Sequence, residues 1–205
     1  MILQFLEDCR KIIDLLIEDR KPLHGLVSAL GKLQRRNGRL FVIGVGGSGL
    51  NALHLASDLR KLAGIQCFTP FDNVGEISAR INDEGWESCF SHWMRTSRLG
   101  KNDMVLILSV GGGNKKVSAP IVKALDYANE IGVKIAAITG RNGGYCKNRV
   151  DILILIPTVN KYLVTPFVEV FQVVIGHLLS FHPDLMLTMG KWEEIIAKSN
   201  DNIDK

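Results

Sequence analysis

The sequence predicts an α/β fold built on a parallel sheet of about five strands. Three observations carry this reading. Short apolar runs alternate with stretches of helical length along most of the chain. The runs are continuously apolar, as in strands buried on both faces, not alternately polar and apolar. Several of them end in glycine-rich turns that lead toward a helix.

The elements follow in order. Residues 2–17 carry Ile2, Leu3, Leu6, Ile12, Ile13, Leu16 and Ile17, spaced largely as the apolar stripe of an amphipathic helix. Pro22 interrupts it, a second helix is expected over 23–36, and Asn37-Gly38 stops that helix. Strands are expected at 39–43, 66–69, 103–109, 133–138 and 151–156, and helices at 48–62, 74–81, 87–98 and 117–131. A long helix should run over 166–181, with Pro166 in its first turn and Pro183 beyond its end. The chain thus divides into a helical hairpin (1–38), an α/β domain (39–190) and a polar, helix-prone tail (191–205). The hairpin precedes the first strand, so it is an addition to the sheet. It packs either on its own domain or against a partner.

Composition narrows the function. The chain has 205 residues, 46% of them hydrophobic and 22% charged, which excludes disorder and collagen. A net charge of +4 is compatible with a small anionic substrate and does not argue for nucleic acid. Cys9, Cys67, Cys89 and Cys146 are far apart with no CxxC pair, which reads as free thiols in a reducing compartment. The N-terminus interrupts its apolar residues with charges, unlike a signal peptide, and no window approaches a membrane span. A soluble, cytoplasmic protein is expected.

In an open parallel sheet, ligands bind beyond the carboxyl ends of the strands. Glycine-rich segments are expected there at 44–49, 109–114 and 140–144. Glycine lets an anion approach the backbone, and a following helix offers free N–H groups. Gly44, Gly46 and Gly49 match the dinucleotide pattern GxGxxG literally. That pattern also needs an acidic residue at the end of the second strand, and the segment there reads Gln66-Cys67-Phe68-Thr69. A sugar-phosphate site fits better. Ser48 and Ser109 supply hydroxyls, and Asn114, Lys115 and Lys116 follow the second loop.

His54 and Asp58 share a helix face four residues apart, near the first loop. Such a pair is equally an ordinary surface contact. Glu169, Gln172 and His177 lie on the last long helix. Glu169 and His177 are about 12 Å apart along its axis and rotated by about 80°, so one helix does not easily bring both to one ion. Either only some of these groups bind metal, or copies of the helix from two subunits contribute. Imidazole and carboxylate together suit zinc or a similar divalent ion. Without metal, His177 and a carboxylate could move protons as an acid/base pair.

The run GVGGSGLNALHLASDL resembles the first ligand loop and helix of the phosphoheptose isomerases, single-domain members of the sugar isomerase (SIS) superfamily. The resemblance continues through INDEGW, VLILSVGGGN, ITGRNGGY and TPFVEVFQVVIGHLL, to about His182. It implies a five-stranded parallel sheet flanked by helices, and a homotetramer with active sites at subunit interfaces. It implies conversion of sedoheptulose 7-phosphate to D-glycero-D-manno-heptose 7-phosphate through an enediol, with zinc in many members. By this resemblance His54, Asp58, Glu169 and His177 fall on metal-site positions, with Asp58 and His177 as the acid/base pair. Val45, Gly46, Gly47 and Ser48 fall on the first substrate loop, and Asn82 and Asp83 on an Asn-Asp pair. Ser109, Val110, Gly111, Asn114 and Lys115 fall on the phosphate loop, and Glu169 also falls at the substrate.

Three positions depart from the family pattern. The phosphate loop typically reads Ser-Thr-Ser-Gly-Asn-Ser; here glycines replace hydroxyl donors, for which backbone N–H groups and a lysine could substitute. Asp58 stands for a glutamate and Glu169 for a glutamine, making the site more anionic. A different sugar phosphate, or a phosphosugar-binding protein without turnover, is the alternative these departures leave.

Overall fold

The computed structural model describes residues 1–200. Two helices, α1 (Ile2–Glu18) and α2 (Lys21–Arg35), precede β1 (Arg39–Gly44). Then come α3 (Gly47–Ala63), β2 (Gln66–Phe68), α4 (Val74–Glu84), α5 (Cys89–Thr96), β3 (Met104–Ser109) and α6 (Ala119–Ile131). β4 (Lys134–Thr139), β5 (Ile152–Leu155), α7 (Val164–Ser180) and α8 (Lys191–Asn200) follow. The expected tail falls on α8, and its last five residues lie outside the described residues.

The five strands form one sheet in the order β2-β1-β3-β4-β5, every pair parallel. The chain steps from β1 to one side for β2 and returns to the other side for β3. That reversal opens a crevice beyond the carboxyl ends of β1 and β3, where an open sheet of this kind takes its ligand.

Strand residues alternate between two cores, as a period of two requires. Leu40, Val42, Met104 and Leu106 face the layer of α2, α3 and α7, while Phe41, Ile43, Val105 and Ile107 face that of α4, α5 and α6. Both faces are covered, which explains the unbroken apolar runs.

The hairpin packs on its own domain, chiefly through α2. Leu26, Leu30 and Leu33 of α2 are fully buried in the first core, whereas α1 leaves Ile2, Leu3, Leu6, Ile13 and Ile17 exposed. α2 begins earlier than expected because Pro22 starts the helix and does not break it. α6 begins later, at Ala119, because Ser118 is held at φ 56°.

Asp103 anchors the entry to β3. Its Oδ1 accepts from the Arg39 backbone N–H and Nε, each at 3.1 Å, and its Oδ2 accepts from Arg39 Nη2 at 2.7 Å and Gly100 N–H at 2.9 Å. The carboxylate is only 6% exposed. Asp103→Ala would leave two backbone donors without an acceptor and the Arg39 guanidinium with only the Ser97 and Arg98 carbonyls. It should lower unfolding free energy by about 2–4 kcal/mol, read as a shifted urea midpoint.

Candidate active site

α3 and α7 pack side by side through Ala52, Leu55, Ala56 and Leu59 on one and Phe171, Ile175 and Leu179 on the other. This pairing brings His177 of α7 against His54 and Asp58 of α3. His54 Nε2 lies 3.3 Å from Asp58 Oδ2, and His177 Nδ1 lies 3.5 Å from the same oxygen. The imidazole rings meet edge to face with centroids 5.0 Å apart. Asp58 is the most enclosed of the three, its side chain 22% exposed against 51% for His54 and 48% for His177.

These N···O distances are long for charge-assisted hydrogen bonds, which run about 2.7–2.9 Å. The two separations at Asp58 match those of ligands sharing one ion. Donor atoms at about 2.0–2.1 Å from a tetrahedral centre stand about 3.4 Å from one another. All three ligand atoms lie within 4.8 Å of each other, and the three residues form a possible metal-binding triad. One protomer builds it; no second copy of α7 is needed.

Glu169 stands apart from the triad. Its carboxylate rests at the start of α3, 2.5 Å from where a Cβ on Gly47 would sit. The separation along α7 keeps it from the ion position, so of the expected metal residues the structure brings together His54, Asp58 and His177. Asn51 ties the two helices, its Nδ2 donating to the Glu169 carbonyl at 2.9 Å and to Gln172 Oε1 at 3.0 Å. Gln172 is buried beside the triad, and its Nε2 has no partner among the described residues.

The crevice at the sheet's reversal is a cleft of about 560 Å³. Val45, Ser109, Val110, Gly111 and Asn114 line it, as the sequence leads one to expect. The Ser109 hydroxyl accepts from Gly112 N–H at 3.1 Å, and Asn114 Oδ1 accepts from the N–H groups of Lys116 and Val117, both at 2.8 Å. The loop therefore closes on itself. Gly46 precedes α3 at φ 63°, ψ −131°, a backbone region open essentially to glycine, with nothing within 4 Å of its Cβ position.

Other expected residues lie elsewhere in the single chain. Ser48 is not at the loop's mouth: it is 1% exposed in the first turn of α3, its hydroxyl without a partner among the described residues. Lys115 is exposed and does not line the cleft. Asn82 and Asp83 are exposed at the end of α4, where Asn82 Nδ2 donates to Asp83 Oδ1 at 2.7 Å. Arg141, Lys161 and Thr165 line the cleft and were not singled out by the sequence. The one available signal was position: Lys161 and Thr165 sit where β5 hands over to α7, at the ligand end of the sheet.

The cysteines are free. Burial pushes the thiols of Cys89 and Cys146 up to about 11 and 12, and that of Cys67 further still. None of these three is a nucleophile at neutral pH. Among the described residues no helix is long and apolar enough to cross a membrane.

Comparison with known proteins agrees with this geometry. Residues 4–140 match the SIS domain family. The phosphoheptose isomerase of Rhodospirillum rubrum is 31% identical over 150 residues, covering 71% of this chain and 75% of the relative. The chain belongs to the phosphoheptose isomerase family of SIS domain proteins. A member from Helicobacter pylori (strain Shi470) is 28% identical over 163 residues, covering 77% of this chain and 78% of its own. The solved phosphoheptose isomerase structure from Francisella tularensis superposes with a TM-score of 0.77 at 21% identity, covering 87% of this chain and 94% of that one. The family's fold is therefore present, N-terminal helices included.

Proposed function

We propose that the chain is an aldose–ketose isomerase that interconverts sedoheptulose 7-phosphate and D-glycero-D-manno-heptose 7-phosphate. The observation that carries the reading is the convergence of His54 and His177 on one oxygen of Asp58. Family membership supports the substrate class.

The reaction moves a proton between adjacent carbons. A base takes a proton from C1 of the ketose while the C2 carbonyl oxygen gains one, giving the enediol. Return of a proton to C2, with loss of the proton on the C1 oxygen, gives the aldose. His177 and Asp58 are the pair that exchange these protons, in the manner of general acid–base catalysis. The triad's two imidazoles and carboxylate fit a divalent cation of the zinc type, held by His54, Asp58 and His177. Such an ion supplies polarisation of the substrate carbonyl.

The assembly we propose is a homotetramer in the cytoplasm, with sites between subunits. At about 1.5 Å per residue, Thr165 in the cleft and His177 in the triad are about 18 Å apart along α7. A seven-carbon sugar phosphate, with bonds of about 1.5 Å, spans about 10 Å when extended. One substrate therefore reaches both only if the cleft of one protomer faces the triad of another. α7 also exposes Val170, Val174 and Leu178, an apolar stripe at i, i+4 spacing beside the triad.

Incubating the protein with sedoheptulose 7-phosphate in heavy water tests the reading. Deuterium should enter at C1 of the recovered ketose and at C2 of the aldose, seen by NMR even where little aldose accumulates. Tight binding with no exchange, with several divalent metals supplied, would favour the binding-protein alternative that the hydroxyl-poor loop 111–113 keeps open.

The metal reading gives its own expected result. Zinc at a hundred times its dissociation constant should stabilise the fold by about 2.7 kcal/mol. Thermal melts with zinc and with a chelator measure this, and the difference should vanish in His54→Ala.

A further inference from the structure

Two cations face the cleft, on segments far apart in the chain. Arg141 sits on the turn after β4 and Lys161 on the approach to α7. Among the described residues no acidic residue lines the cleft and neither cation forms an ion pair. The Lys161 ammonium has the Tyr162 ring 5.0 Å away. The Arg141 guanidinium reaches over the glycine loop, with Nη1 3.7 Å from where a Cβ on Gly111 would lie. Arg141 is held at φ 55°, in the left-handed region that side chains other than glycine rarely adopt. Such strain persists where surrounding structure enforces it, and it concentrates at ligand sites.

The loop beside them has little to offer through side chains. Ser109 and Asn114 use their oxygens to accept from their own loop. The cleft is also lined by Ser118 and Thr165, the latter in the first turn of α7, where helix N–H groups are free. The cleft thus combines two unpaired cations, two hydroxyls and a helix start, with no carboxylate.

We infer that Arg141 and Lys161 are the phosphate-binding cations of this chain, replacing by charge the loop hydroxyls that the glycines at 111–113 have removed. This rests on the proposed sugar-phosphate reading and names the groups that hold the phosphate within it. Arg141 presents a planar fork suited to two phosphate oxygens at once, and Lys161 acts as a point charge opposite. Lys115, the nearest cation in sequence to the loop, plays no part because it does not line the cleft.

The test is binding of inorganic phosphate, followed by ³¹P line broadening during titration of the full chain at millimolar phosphate and low ionic strength. Wild type should broaden the signal, and added chloride salt should weaken the effect. Arg141→Gln and Lys161→Gln should each weaken binding about tenfold or more, and Lys115→Gln should leave it unchanged. All three side chains are exposed, so circular dichroism should report the native fold in each variant. In turnover assays the first two variants should raise KM for the phosphorylated sugar with a smaller effect on kcat. Wild-type phosphate binding in both variants, or no binding by wild type, would overturn the inference. Cation-dependent phosphate binding in a protein that exchanges no sugar proton would leave the inference standing and remove the isomerase reading instead.

Discussion

His177→Ala is expected to remove isomerase turnover while leaving the fold intact. The loss in kcat should be about 10²–10⁴-fold, the span associated with a positioned acid or base. Asp58→Ala should behave alike. If the two groups act as one unit, the double variant should be little worse than either single change, since contributions within a catalytic unit are not additive. The fold should tolerate both replacements because the His177 side chain is 48% exposed and that of Asp58 22%, and neither belongs to the apolar cluster through which α3 and α7 pack. Deuterium exchange into the substrate is the decisive readout, with thermal melts of the metal-free proteins as the control. Wild-type exchange in either variant would place the acid/base chemistry elsewhere. The next carboxylate to replace is then Glu169, beside Gly47 at the cleft end of α7.

The order of elements was legible because it follows from runs of residues that touch their own neighbours in sequence. The three central strands β1, β3 and β4 are buried on both faces, so their apolar runs need no partner to be recognised. Helix starts were less legible. Pro22 reads as a breaker until its place in the first turn of α2 is known, and the late start of α6 depends on a left-handed Ser118 that nothing in its type announces.

The candidate site divides in the same way. His54 and Asp58 were visible as an i, i+4 pair, and helix geometry alone separated Glu169 from His177. That α3 lies against α7, and so delivers His177 to Asp58, is a tertiary fact with no local signature. The burial of Ser48 is another: a hydroxyl in a glycine loop looks available until the first turn of α3 rotates it inward. Arg141 and Lys161 were hidden because a charge on a loop looks solvated in sequence, and only the sheet's topology turns both toward one crevice.

Gly112→Ala should be among the most damaging single-atom additions to this protein. Loop 111–113 lies backbone to backbone against loop 143–144. A Cβ on Gly112 would fall 1.9 Å from the Gly143 carbonyl oxygen, and one on Gly144 would fall 1.9 Å from that of Gly111. No side-chain adjustment relieves a clash with backbone. The contact is also bonded: Tyr145 N–H donates to the Gly113 carbonyl at 3.1 Å, and Cys146 Sγ donates to that of Gly112 at 3.4 Å. Gly112 further stands at φ 73°, so alanine there carries a backbone cost of about 1–3 kcal/mol on top of a similar overpacking cost. Together these predict about 2–6 kcal/mol lost in urea unfolding. They also predict a raised KM for phosphosugar, because the loop that must separate is the wall carrying Gly111 against Arg141. Gly132→Ala isolates the two contributions. Gly132 has a comparable φ of 74° at the end of α6, with nothing within 4 Å of its Cβ position, so its variant bears the backbone cost alone. Should Gly112→Ala prove as mild as Gly132→Ala, the close approach of the two loops would be wrong, and the cleft they shape would be wrong with it.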